Sequence, residues 1–255
     1  METIVTAGSD QLWVQDSGGQ EPAAVLLHPG IADARSWDLV WPGLEERLRV
    51  IRYDSRGYGR SAPPTAKFRY LDDLVTVLDA LDVPSAHLVG CSMGGASAID
   101  LALASPGRVR SLTLLCPGVT GYQWPAEPEL DAEAKAATGA GEDALLALSL
   151  REWAAAGAEP FVVDMMRSAV RAWPGEEKFA VDAEPAFDRL AELRVPTVLM
   201  VGDHDRRALI DCDEAIAARI SGCELIRMPG VDHLPAVREP ELVVRVILRQ
   251  CGVAL

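Results

Sequence analysis

Histidine is scarce in this chain. His28, His87, His204 and His233 are all there is in 255 residues, so chemistry that needs an imidazole has four places to find one. Lysine is scarcer still: Lys67, Lys135 and Lys178 are the only three among 24 basic residues, which face 38 acidic ones. With abundant alanine, that scarcity reads as coding composition rather than chemistry. The formal net charge of −14 does not suit nucleic acid, whose phosphates need basic contacts, or an anionic membrane surface. The five cysteines, Cys91, Cys116, Cys212, Cys223 and Cys251, are odd in number and match no zinc or disulfide spacing. Free thiols in a reducing compartment are expected, with no metal and no cofactor. No apolar run is long enough to span a bilayer. Residues 1–7 lack the basic lead and apolar stretch of a signal peptide, so a cytoplasmic location is expected.

What is present is an alternation. Residues near 2–6 and 11–16 read as a hairpin turning at Gly8-Ser9-Asp10. Short β-rich runs follow at 25–27 and 50–53, then helical spacing over 70–81. Further strands are expected at 86–89, 109–116, 196–201 and 223–228. Strands alternating with helices imply a mostly parallel sheet covered on both faces, with any ligand site at the carboxyl ends of the strands.

The most informative stretch is Gly90-Cys91-Ser92-Met93-Gly94-Gly95, set between an apolar strand and a helix-like run over 96–104. A serine on such a turn is lifted out at the strand's end, and glycines let the backbone bend there. A serine is a weak nucleophile until a base takes its proton and an acid orients the base. His233, in the turn after the strand 223–228, is the base candidate, and Asp205, in Gly202-Asp203-His204-Asp205, is the acid. Asp203 and Asp232 are rivals for the acid. Asp232 is next to His233 and poorly placed to reach its ring.

Four separated motifs now agree: Leu27-His28-Pro29-Gly30, Asp54-Ser55-Arg56-Gly57-Tyr58-Gly59-Arg60-Ser61, the Ser92 turn, and the paired loops at 202–205 and 230–233. Together they make the chain resemble the α/β-hydrolase superfamily over nearly its whole length, as a serine hydrolase similar to the esterase and enol-lactonase members. The resemblance implies an α/β fold with a mostly parallel eight-stranded sheet, helices on both faces and a small helical cap. It implies a triad of Ser92, Asp205 and His233, in the chain order serine, acid, histidine. It assigns an oxyanion hole to the backbone N–H groups of Met93 and Gly30, with Ile31 as the fallback. Pro29 replaces the family's commoner glycine and has no N–H to give. His28 is expected to brace this loop, and His87 to be structural or partly exposed. Asp54 and Arg56 are read as an ion pair holding their turn, with a substrate-carboxylate clamp as the alternative for Arg56.

Residues 119–188 interrupt the alternation and are read as the cap, leaving 1–118 and 189–255 as the core. Within it, 127–143 is rich in acid, alanine and glycine and is expected to be solvated, whereas 145–173 has amphipathic helical character. Ile31, Trp124 and Trp153 are the expected substrate contacts. Phe161, Met165, Met166 and Trp173 are assigned to packing. The expected reaction is cleavage of a small or medium ester, thioester or lactone through an acyl-enzyme on Ser92. Alternatives on the same triad are carbon–carbon bond hydrolysis, cofactor-free haloperoxidation or a lyase. A ligand receptor with little turnover is the rival from outside enzymology.

Overall fold

Three runs, Ala23–Leu27, Ala86–Cys91 and Thr197–Gly202, are buried along their whole length. Unbroken burial of this kind belongs to strands covered on both faces, and all three lie inside one sheet. The computed structural model describes residues 1–19 and 22–253. Its strands are β1 (Glu2–Ala7), β2 (Asp10–Asp16), β3 (Ala23–Leu27), β4 (Arg49–Tyr53), β5 (Ala86–Cys91), β6 (Val109–Leu115), β7 (Thr197–Gly202) and β8 (Glu224–Met228). They form a single sheet in the order β1-β2-β4-β3-β5-β6-β7-β8. β1 and β2 pair antiparallel, as do β2 and β4, and every later pairing is parallel. This is the α/β-hydrolase fold expected from the sequence. The first turn is tighter than expected: Ala7 pairs with Asp10, so Asp10 opens β2 and is buried.

The helices are α1 (Trp41–Glu45), α2 (Tyr70–Ala80), α3 (Met93–Ala104), α4 (Pro128–Ala140), α5 (Glu142–Trp153), α6 (Pro160–Phe179), α7 (Arg207–Arg219), α8 (Pro235–Arg238) and α9 (Pro240–Gln250). Successive strand residues point to opposite faces, which divides the core in two. Val25 and Leu27 of β3 join α2, α3 and α7 on one side. Ala24 and Leu26 join α1, α8 and α9 on the other.

The interruption between β6 and β7 consists of α4, α5 and α6. The acidic stretch expected to be solvated is a helix, α4, but it buries no residue. The helical character expected over 145–173 is divided between α5 and α6, and α6 continues through Pro174. A third apolar cluster joins Leu146, Val162, Met165, Met166 and Val170 of these helices to Ile31, Ala32 and Leu234. The insertion is thereby seated on the loops that follow β3 and β8. Among the described residues no helix is long and apolar enough to cross a membrane.

Candidate active site

The loop after β5 is bent hard. Ser92 sits at φ 49°, ψ −112°, a conformation that costs a non-glycine residue energy and is held only where the surroundings force it. Its N–H donates to the Leu115 carbonyl at 3.0 Å, while its own carbonyl accepts from Ala96 at 3.0 Å and Gly118 at 3.0 Å. The flanking glycines are required by close approach. A Cβ on Gly90 would lie 2.4 Å from the Gly94 carbonyl oxygen, and one on Gly94 would lie 2.2 Å from that of Leu27. The result is a half-buried serine at the carboxyl edge of the sheet, at the start of α3.

Asp205 and His233 come from the loops after β7 and β8. His233 Nδ1 lies 2.6 Å from Asp205 Oδ2, and both side chains are buried. Burial alone would raise the Asp205 pKa. The charge and hydrogen bond of His233, the Arg206 N–H and the Cys116 thiol outweigh it and hold the carboxyl below its ordinary value. An ionised Asp205 keeps the proton of the imidazole on Nδ1 and leaves Nε2 as the basic nitrogen. Cys91 Sγ reaches the His233 carbonyl at 3.8 Å, which lays the histidine loop against the residue preceding Ser92. Among the described residues no hydrogen bond joins Ser92 Oγ to the imidazole; such bonds commonly tighten only once substrate is bound.

The rivals are otherwise engaged. Asp203 accepts from the Gly230 N–H at 2.6 Å. Asp232 accepts from Ala156 and Leu234 N–H groups and pairs with Arg238. His204 is exposed. His87 is buried, 2.7 Å from the Ser111 hydroxyl. Burial pushes the Cys91 thiol well above its usual range, so it is not a competing nucleophile at neutral pH.

The loop after β3 is built around His28. Its Nε2 accepts the Ser55 N–H at 3.0 Å, so the ring proton is on Nδ1, which donates to the Pro29 carbonyl at 2.9 Å. Ala32 N–H donates to the same oxygen at 3.1 Å. A trans peptide points its N–H opposite its C=O, so these two bonds direct the Gly30 N–H away from the loop's interior. The amides of Gly30, Ile31 and Met93 have no acceptor among the described residues. Amide donors with no acceptor, on a loop that packs against Met93, are what a developing oxyanion would need.

Arg56 corrects the expected ion pair. It binds Asp73 at 2.8 and 2.6 Å and also pairs with Asp10. Asp54 instead accepts the Ala34 and Arg60 N–H groups at 2.8 Å each. With all its partners buried, Arg56 braces the turn and presents nothing to a substrate. Of the expected contacts, Trp153 has its ring centroid 4.8 Å from that of His233, with the Arg206 guanidinium 4.7 Å from its ring. Ile31 is buried among α5 and α6 residues. Trp124 is 46% exposed and its ring contact is edge-on to Tyr122.

Two participants escape a reading of the sequence. Cys116 Sγ stands in the same cluster as Asp205 and His233, a placement that a cysteine in a strand-end loop does not signal from the sequence. Trp173, assigned to packing, also donates from Nε1 to the Gly30 carbonyl at 2.7 Å; an indole offers one donor that periodicity does not register. Cys116, Asp205 and His233 are also the group among the described residues whose ligand atoms, all within 4.8 Å of one another, could hold a metal. The 2.6 Å between Asp205 and His233 is a hydrogen bond. Two ligands on one tetrahedral zinc would stand about 3.3 Å apart, so the pair is closed on a proton.

Comparison with known proteins bears on the family and the fold. The model of the alpha/beta hydrolase family matches residues 24–246. The chain is 33% identical over 199 residues to a 2-hydroxymuconate semialdehyde hydrolase of a Pseudomonas species, a match covering 75% of this chain and 59% of that protein. It is 30% identical over 245 residues to a pimeloyl-[acyl-carrier protein] methyl ester esterase of Methylococcus capsulatus, covering 91% and 95%. The crystal structure of an enol-lactonase from Burkholderia xenovorans superposes with a TM-score of 0.84 at 22% identity, covering 98% of this chain and all of that one.

Proposed function

Because this chain belongs to the α/β-hydrolase family and is an enzyme of the hydrolase class, we propose that it cleaves a small or medium ester, thioester or lactone through an acyl-enzyme on Ser92. The observation that carries this is the buried 2.6 Å bond between His233 and an ionised Asp205, at the same sheet edge as a strained, half-buried serine. In this reading His233 Nε2 takes the Ser92 proton as Oγ attacks the carbonyl carbon. The oxyanion is received by the N–H groups of Met93 and of Gly30 or Ile31. The imidazolium, steadied by Asp205, returns its proton to the leaving oxygen or sulfur. Water, deprotonated by His233, then releases the acid. Residues 119–188 act as the cap, with Trp153 against His233 and Ile31 among the residues lining the way in; Trp124 belongs to its outer edge.

The match to the Methylococcus esterase over nearly the full length of both chains supports an ester bond. The match to the Pseudomonas hydrolase favours a second reading, carbon–carbon bond hydrolysis by the same side chains. Short-chain p-nitrophenyl esters test the first. The wild type is expected to turn them over repeatedly and Ser92→Ala to lose the activity by at least roughly 10³-fold. Equal rates in both would remove Ser92 from the mechanism. Turnover of 2-hydroxymuconate semialdehyde but of no ester would move the assignment to the second reading.

A further inference from the structure

The loop that carries Gly30 and Ile31 is a β-turn, closed by the Ala32 N–H on the Pro29 carbonyl at 3.1 Å. The soft part of a β-turn is its central peptide, here the one joining Gly30 to Ile31. Turn types I and II differ by a flip of that unit. Neither Gly30 nor Ile31 has positive φ, and a full flip would force positive φ on β-branched Ile31. The freedom left to the peptide is a tilt, which swings the Ile31 N–H together with the Gly30 carbonyl. A donor held against the Gly30 carbonyl restrains that tilt.

Two side chains reach that oxygen: Trp173 Nε1 at 2.7 Å and the Tyr58 hydroxyl at 3.2 Å. The Tyr58 hydroxyl also lies in very close contact with the Glu176 carboxylate. A phenol has one proton, and a carboxylate is the stronger acceptor. The proton therefore goes to Glu176, leaving the indole, whose N–H also neighbours the Tyr58 oxygen, as the donor to Gly30. Trp173 and Glu176 are three residues apart on α6, on one side of the helix. Met93 packs into the same cluster as Tyr58, Ala172 and Trp173, with its sulfur 3.6 Å from a Cβ placed on Gly30.

We propose that Trp173 is a positioning residue for the oxyanion loop: its indole N–H locks the Gly30–Ile31 peptide, so that the loop is set by the docking of α6. The proposal rests on the acyl-transfer reading for its kinetic consequence, but the locking itself is measurable without any turnover.

Trp173→Phe keeps a ring in the cluster and removes the donor. It is expected to lower kcat for ester hydrolysis roughly tenfold, less than the roughly 10²–10³-fold of deleting an oxyanion donor outright. KM should stay within about twofold, and affinity for a boronic acid transition-state analogue should fall in step with kcat. In 15N-labelled protein the Ile31 amide is expected to shift and broaden. An unchanged Ile31 amide overturns the proposal whether or not esters are turned over, whereas turnover retained by Ser92→Ala defeats only the acyl-transfer reading. Tyr58→Phe should cost less than Trp173→Phe, and an equal loss would reassign the holding role. If Trp173→Phe does not fold, hydrogen exchange of the Trp173 indole in the native protein decides: slow exchange is expected, and exchange as fast as a free indole overturns the locking.

Discussion

On the acyl-transfer reading, Asp205 bears on both reactivity and stability. Its replacement by asparagine would keep the shape and release the imidazole proton from Nδ1, so kcat should fall by roughly 10³–10⁴-fold with KM little changed. Steady-state kinetics on any accepted ester measures this. Its pH dependence has a definite sign. The folded carboxyl titrates below its ordinary value, so its contribution to stability is present above that ordinary value. The contribution is lost as pH falls through the lower native value. Acid unfolding of Asp205→Asn should consequently be shallower than that of the wild type. The pairing of Asp205 with His233 was legible at this scale because each sits in a short motif whose spacing survives without the fold. The partners of Arg56 were not. Asp10 and Asp73 lie 46 and 17 residues from it, and only the sheet brings them together.

At the scale of elements, α7 carries a defect that a sequence does not reveal. Asp213 is fully buried in it, and among the described residues neither carboxyl oxygen has a hydrogen-bond partner. Burial, with the negative charge of Asp205 added, pushes its pKa well above the carboxylate range. Its sign is opposite to that of Asp205. As pH rises past the ordinary carboxylate value, the unfolded chain ionises and the native one does not, so stability falls toward neutrality. Asp213→Leu should raise the unfolding free energy by about 1–3 kcal/mol near pH 7, with a smaller gain in acid; urea melts at the two pH values measure both. Element boundaries in the insertion were the least legible part of the chain. Helical periodicity runs through 145–173 without registering the break at 154–159. Pro174 reads as a stop, yet α6 continues to Phe179, whose carbonyl accepts the Phe68 N–H at 3.1 Å.

At the scale of the whole molecule, the sheet was legible because buried parallel strands write themselves as short apolar runs at regular intervals. The seating of the insertion was not, since it depends on which loops its helices meet. The net charge of −14 acts on every approaching substrate. An ester bearing a carboxylate should gain kcat/KM as salt is added and one bearing an ammonium should lose it, by up to about tenfold, with a neutral ester unaffected. Rates between low and physiological ionic strength check this, and equal salt responses from all three would show that the field does not reach the site. The helix α4 stands apart from these constraints. It buries nothing and is tied to its neighbours through charged pairs such as Glu133 with Arg151, while Glu127 just ahead of it meets Arg206. Selection on the catalytic machinery consequently has little hold over residues 128–140. They form a stretch whose length and charge can vary without disturbing a buried contact, at little cost in stability.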